Sequence, residues 1–346
     1  MPRRLVDPVN WGRFERLDEV RRFQGAILDA AGLGPVETPW RPVHREAGVI
    51  LRQYASGESD GPLVFIVPAP IKRCYIWDLA PEVSAVRRCL ETGGRVFLAD
   101  WQQAPPHFGL ADYAERLVLA CLDATGGERA ILLGHSLGGL FAAIFAALHP
   151  ERVQALVLLA APLRFGGEQS LFTAMAAGVQ PDRLPDALPG SSLSTASMYA
   201  SPEAFGMYRW ADALASIYSA GALRTHWQVE RWMLDEFPLP RRLVEELVTL
   251  LVREDRFAGG TLEVNGRRAA PSMLSAPVLC VVDPGCPVVP PVSVLPVLNA
   301  FASSDKTVLS YCGDLGVALR HVGPLVGRRA HARLWPPIVQ WIKRHA

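Results

Sequence analysis

Residues 129–143 read Arg129-Ala-Ile-Leu-Leu-Gly134-His135-Ser136-Leu137-Gly138-Gly-Leu-Phe-Ala-Ala143, and the rest of the chain is organised around this stretch. An apolar run of strand composition enters Gly134-His135-Ser136-Leu137-Gly138, and small and apolar residues of helical pattern leave it. G-x-S-x-G between a strand and a helix is the sequence of a sharp elbow that lifts a serine hydroxyl clear of a sheet. The flanking positions are pressed against neighbouring backbone, where only Gly134 and Gly138 fit without a clash. Ser136 is therefore the candidate nucleophile. The N–H of Leu137, at the start of the following helix, is a candidate oxyanion donor.

Outward from the elbow, short Val-, Ile- and Leu-rich runs alternate with amphipathic helices. Strands are expected at 63–67, 95–99, 130–133, 155–160, 278–282 and 307–311. Runs apolar on both faces belong to a parallel sheet covered by helices on both sides. Helices are expected at 81–90, 113–124 and 139–148; in the second, Tyr113, Leu117 and Cys121 recur at helical spacing. Ahead of these, 17–31 reads as a helix ended at Gly32, and 42–56 as a β-hairpin arm. Between about 165 and 270 the rhythm gives way to irregular helical sequence broken by Pro, Ser and Gly. That stretch reads as a helical cap (165–270) inserted between a first core part with an N-terminal extension (1–164) and a second core part (271–346).

The order of elements places the base. A nucleophile elbow of this kind is followed in the chain by its acid and then its histidine. His321 lies after the last strand and before a closing helix expected at 331–343. His331 and His345 lie in or beyond that helix, His149 at a helix end, and His44, His107 and His226 too early. His135 adjoins the nucleophile but is expected to point away from it.

The acid is less determined. The stretch Pro277-Val-Leu-Cys-Val-Val-Asp283-Pro-Gly-Cys286-Pro-Val-Val289-Pro290 resembles the strand and turn that deliver it, often G-x-x-D-x-x-V-P. Counting back from Val289-Pro290 puts Cys286 in the acid's place. A neutral thiol cannot stabilise an imidazolium as a carboxylate does. Asp283 is the favoured orienting acid, Asp314 the next, and a Ser–His dyad without a carboxylate the third arrangement. A second oxyanion donor is expected in Pro68-Ala69-Pro70-Ile71, where only Ala69 and Ile71 have an N–H; Ile71 is the better placed.

Composition narrows the classes. The 35 Lys and Arg against 34 Asp and Glu give a net charge of +1, unlike a nucleic-acid binder working through a broad positive field. The six cysteines are scattered without metal-ligand spacing, so no metal and no organic cofactor is implied, and a reducing compartment suits them. No apolar run reaches the ~20 residues of a membrane span. Residues 1–22 lack a signal peptide's apolar core, so a cytoplasmic location is expected.

Several stretches, in order, resemble class III polyhydroxyalkanoate synthase catalytic subunits and their α/β-hydrolase relatives. They are Arg73-Cys-Tyr-Ile-Trp-Asp78-Leu79, Val96-Phe-Leu-Ala-Asp100-Trp101, Ala147-Leu-His-Pro-Glu-Arg-Val153 and Leu334-Trp335-Pro336, with looser matches at Arg231-Trp232-Met-Leu-Asp235 and Arg256-Phe-Ala-Gly-Gly-Thr-Leu262. The resemblance implies an α/β-hydrolase fold and acyl transfer through a covalent intermediate. Two positions depart from it: Ser136 replaces the synthase cysteine, and Cys286 stands where the acid would be. An acyl-serine is an ordinary ester, and a serine hydroxyl needs a base more than a thiol does.

The expected function is therefore hydrolysis of an ester or thioester, small or polymeric and of 3-hydroxyacyl type. The alternatives are a polyester synthase with serine for cysteine, and a non-catalytic granule-associated relative. A homo-oligomer or a second subunit suits the same resemblance. Lys72 and Arg73 are candidates to meet an anionic group, and Tyr208, Trp210, Trp227 and Trp232 to wall an acyl cavity.

Overall fold

The computed structural model describes residues 10–54, 61–166 and 171–346. Its centre is an eight-stranded sheet built from β1 (Trp40–Glu46), β2 (Val49–Tyr54), β3 (Leu63–Val67), β4 (Arg95–Trp101), β5 (Ala130–His135), β6 (Val153–Leu159), β7 (Val278–Val282) and β8 (Lys306–Ser310). The strands lie in the order β1-β2-β4-β3-β5-β6-β7-β8. The first two pairings, β1 with β2 and β2 with β4, are antiparallel; all the others are parallel. Strands β3, β5 and β7 are buried along their whole length, which is why they carry unbroken aliphatic runs.

The helices are α1 (Trp11–Ala30), α2 (Ala85–Leu90), α3 (Leu117–Asp123), α4 (Leu137–Leu148), α5 (Leu171–Ala177), α6 (Gly190–Ala200), α7 (Tyr208–Ser216), α8 (Ala220–Leu234), α9 (Arg241–Glu246), α10 (Leu295–Asn299), α11 (Gly323–Val326) and α12 (Trp335–Arg344). Every residue of α4 is buried, in keeping with its Ala, Phe, Ile and Leu content on all faces. Helices α5 to α9 fall in the stretch read as a cap. A short hairpin, Leu262–Val264 with Arg267–Ala269, closes that stretch and was not expected.

Three local readings change. The hairpin arm begins at Trp40 and turns after Glu46, while its expected last two positions, 55 and 56, lie outside the described residues. The helix expected over 81–90 is shorter, because Ser84 caps it by accepting the Arg87 N–H at 2.9 Å. The first helix starts at Trp11 rather than 17 and packs on the cap helices α6 and α8. The buried carboxylate of Asp18 accepts the N–H groups of Gly190 and Ser191, at 3.2 and 2.8 Å, and so caps α6 from outside. Arg231 of α8 ties to Asp29 of α1 through Nε and Nη2, at 2.7 and 2.8 Å.

Candidate active site

Ser136 stands between β5 and α4 with φ 55° and ψ −133°. This is a conformation that a residue with a Cβ adopts only under restraint. The restraint comes from both sides. Ser136 N–H donates to Leu159 O of β6 at 3.1 Å, and Ser136 O accepts from Gly139 and Leu140 at 3.0 and 3.3 Å. A Cβ at Gly134 would collide with Gly139 backbone, and one at Gly138 with Val67 O and Pro68. Those contacts are with backbone on neighbouring elements and cannot rotate away. Gly138→Ala should therefore lower folding stability by about 2–3 kcal/mol, measured as a fall in the urea midpoint at constant slope.

The same close approach brings the 68–71 loop against the turn. Trp101 Nε1 donates to Pro68 O at 2.7 Å and pins that loop from β4. Leu137, first residue of α4, has no acceptor for its N–H within its helix. Ile71 lies on the facing loop. Ser136, Ala69, Ile71, His135 and His321 all border one chamber of about 460 Å³ beneath the cap. Among the described residues no hydrogen bond joins Ser136 to His321.

His321 sits in a single 3₁₀ turn, Arg320–Val322, after β8. Its backbone O accepts from His135 Nε2 at 2.8 Å, and the two rings lie 4.6 Å apart. A carbonyl can only accept, so His135 carries its proton on Nε2. His135 thus points toward the His321 turn and borders the chamber, contrary to the expectation that it would face away. Burial holds the His321 pKa well below the usual imidazole range, and the nearby His135 adds to the effect. Burial also lowers His135, to about 4, against the opposing hydrogen bond to His321 O. Both rings are neutral at neutral pH.

The acid reading needs correction. Asp283 is buried at the end of β7, but both its oxygens bind Arg320, at 2.9 Å to Nε and 2.5 Å to Nη2, and Oδ1 also accepts the Gly285 N–H at 2.9 Å. Asp314 receives the N–H groups of Arg329 and Ala330, at 2.7 and 3.1 Å, and the Tyr311 hydroxyl at 3.1 Å. Neither carboxylate bonds to His321 among the described residues. The group facing His321 Nδ1 is Cys286 Sγ, at 3.7 Å. The Val289 N–H points at the same sulfur, at 3.3 Å. Burial pushes the Cys286 thiol up, so it stays protonated and neutral. Counting back from Val289-Pro290 found this position; residue type alone had argued for its neighbour.

Lys72 also borders the chamber, with its ammonium held by Met233 O, Glu236 and Ser194 at 2.6, 2.8 and 3.3 Å. Arg73 borders it too and lies over the Phe237 ring. Of the four cap aromatics expected to wall a cavity, only Trp232 lines this chamber, donating Nε1 to Arg73 O at 2.8 Å. Tyr208, Trp210 and Trp227 are exposed. No helix among the described residues is long and apolar enough to cross a membrane.

Sheet order, elbow and cap together define the class: this is a protein of the α/β-hydrolase fold. Residues 99–183 match the family model described as the alpha/beta hydrolase fold. A 2-hydroxy-6-oxo-6-phenylhexa-2,4-dienoate hydrolase from Rhodococcus superposes with a TM-score of 0.55 at 15% identity, covering 90% of this chain and 98% of that one. That likeness speaks for the fold alone.

In sequence the chain is similar to poly(3-hydroxyalkanoate) polymerase subunits PhaC. It is 27% identical to that of Haloferax mediterranei over 328 residues, 88% of this chain and 64% of the relative. It is 25% identical to that of Allochromatium vinosum over 345 residues, 95% of this chain and 96% of the relative. The chain therefore spans less than two thirds of the Haloferax protein and nearly the whole of the Allochromatium one.

Proposed function

We propose that this chain is a serine-dependent acyl hydrolase acting on an ester or thioester, of 3-hydroxyacyl type, small or polymeric. The observation that carries this reading is Ser136 held at positive φ on the strand-to-helix turn, bordering the same chamber as a buried, neutral His321. In the reaction, Ser136 Oγ attacks the acyl carbon while His321 Nε2, the ring nitrogen not facing Cys286, takes the hydroxyl proton. The N–H groups of Leu137 and Ile71 receive the developing oxyanion. The tetrahedral adduct collapses, the acyl–leaving-group bond breaks, and the leaving thiol or alcohol takes the proton from His321. Water then adds to the acyl-serine by the same route and releases the acid. Cys286 replaces Asp283 and Asp314 in this scheme as the group that orients His321.

The cap comprises 165–270 over core parts 1–164 and 271–346, with α1 as a brace on the cap. The protein works in the cytoplasm, alone, as a homo-oligomer or with a second subunit.

A second reading is favoured by the similarity to polymerase subunits over most of the chain: transfer of the acyl group to the hydroxyl of another hydroxyacyl unit instead of to water. The test is fluorophosphonate labelling of one sample of the purified protein and incubation of a second, unlabelled sample with 3-hydroxybutyryl-CoA. Labelling at Ser136 with release of CoA and free acid is the expected result. CoA release with polymer moves the assignment to a polymerase. Absence of both labelling and turnover leaves a non-catalytic relative and overturns the proposal.

A further inference from the structure

A second chamber, of about 590 Å³, adjoins the first beneath the cap and takes no part in the attack or the proton transfers above. Its wall is almost entirely apolar, with Trp11 and Phe14 of α1, Phe165, Leu184, Val248 and Leu251 among its residues. Leu137 borders this chamber, and Ile71 borders both. Phe172, Met175 and Leu193 also stand on both walls, so the two spaces share a partition. The first chamber carries four cationic side chains on its wall, Arg21, Lys72, Arg73 and Arg209, where the second carries Arg183. An alkyl chain laid against them would strip water from charge without return, whereas in the second chamber it meets hydrocarbon.

We propose that the second chamber is the acyl-chain subsite, and that it selects acyl groups whose alkyl part is unbranched and several carbons long. The inference rests on the acyl-transfer reading and adds the substrate class. Both candidate oxyanion donors border the subsite, so a carbonyl held between them has its chain side turned toward the apolar space. The chain passes the Ile71, Phe172, Met175 and Leu193 side chains, of which methionine is the most adaptable. Each methylene buried there contributes about 0.8 kcal/mol, or roughly fourfold in kcat/KM.

The test uses p-nitrophenyl esters from butanoate to decanoate with the full chain and two filling variants. Ala196→Trp occupies the chamber from α6. Ala176→Leu occupies it from the buried wall of α5 with a smaller addition, so it is the variant that keeps the fold if the first does not. The expected result is a rise in kcat/KM with chain length in the parent protein. Decanoate turnover should fall at least tenfold in the variants, with butanoate turnover changed less than threefold. A flat parent series, or an unchanged chain-length rise in folded variants, overturns the subsite. Fluorophosphonate labelling of the same three proteins separates the two readings. Intact labelling and butanoate turnover with an unaltered series refute the subsite alone, while no labelling refutes both.

Discussion

Ser136→Ala should lower kcat/KM for any ester or thioester the protein turns over by at least about 10⁴-fold and should abolish fluorophosphonate labelling. The change is unusually clean. Alanine keeps the Cβ, so the cost of the positive φ at this position is the same before and after. The bonds that hold the turn all use backbone: Ser136 N–H to Leu159 O, and Gly139 and Leu140 N–H to Ser136 O. The melting temperature should therefore move by no more than about 2 °C, since no buried hydrogen bond of the hydroxyl is lost among the described residues. Comparable turnover by the folded variant would remove Ser136 from the chemistry.

Cys286→Asp should act in the opposite direction, raising kcat/KM about tenfold or more at pH 8 and changing the pH profile. The His321 ring is faced by the neutral Cys286 thiol at Nδ1 and by the neutral His135 ring. Among the described residues no negative charge bonds to it, and Arg320 takes both oxygens of Asp283. When His321 accepts the serine proton it becomes a buried cation with nothing to offset it. A carboxylate at 286 would supply that charge, and the Val289 N–H already points at the position. Asp283, three residues away, is compensated by Arg320, so the new charge is not set against a bare like charge.

The sign of the pH effect follows from the His321 pKa, which burial holds well below 6.5 in the parent. A base with a depressed pKa stays unprotonated as pH falls, so the parent should keep a flat kcat/KM from neutrality into the acid range. The aspartate favours the imidazolium and raises that pKa, so the variant should lose activity at a higher pH than the parent as pH falls. The measurement is kcat/KM from pH 5 to 9 for both proteins. An acid limb that does not move up in the folded variant would show that residue 286 does not act on the histidine.

Legibility differed by element. Strands β3, β5, β6 and β7 were readable because a strand covered on both faces must be apolar at every position, and few other elements are so short and uniform. The elbow was readable because two of its residues must be glycine. The position of His321, after the last strand and on the chamber that Ser136 borders, was readable because the order of elements leaves one histidine there. The early part of α1 was missed because its residues 11–16 show little periodic signal; what holds them are distant partners, Trp11 Nε1 donating to Arg183 O and Phe14 O accepting the Ser191 hydroxyl. Three of the four cap aromatics, Tyr208, Trp210 and Trp227, were misjudged for a similar reason: composition puts Trp and Tyr in a cap but does not say which face of α7 or α8 meets the core. The partner of His321 was divided between position, which named Cys286, and residue chemistry, which named Asp283.

By itself the sequence determined the sheet, the turn at Ser136 and the place of His321, because each depends on local constraints: periodicity, a Cβ that cannot be accommodated, and chain order. The tertiary structure alone decided that Arg320 would claim Asp283, that a thiol would face the imidazole, that His135 would hold the His321 turn, and that an apolar space would open beside Leu137. Those outcomes depend on which side chains from distant segments compete for one partner or leave a gap between them. Such competition is settled by packing in three dimensions, where neighbours in space are not neighbours in the chain.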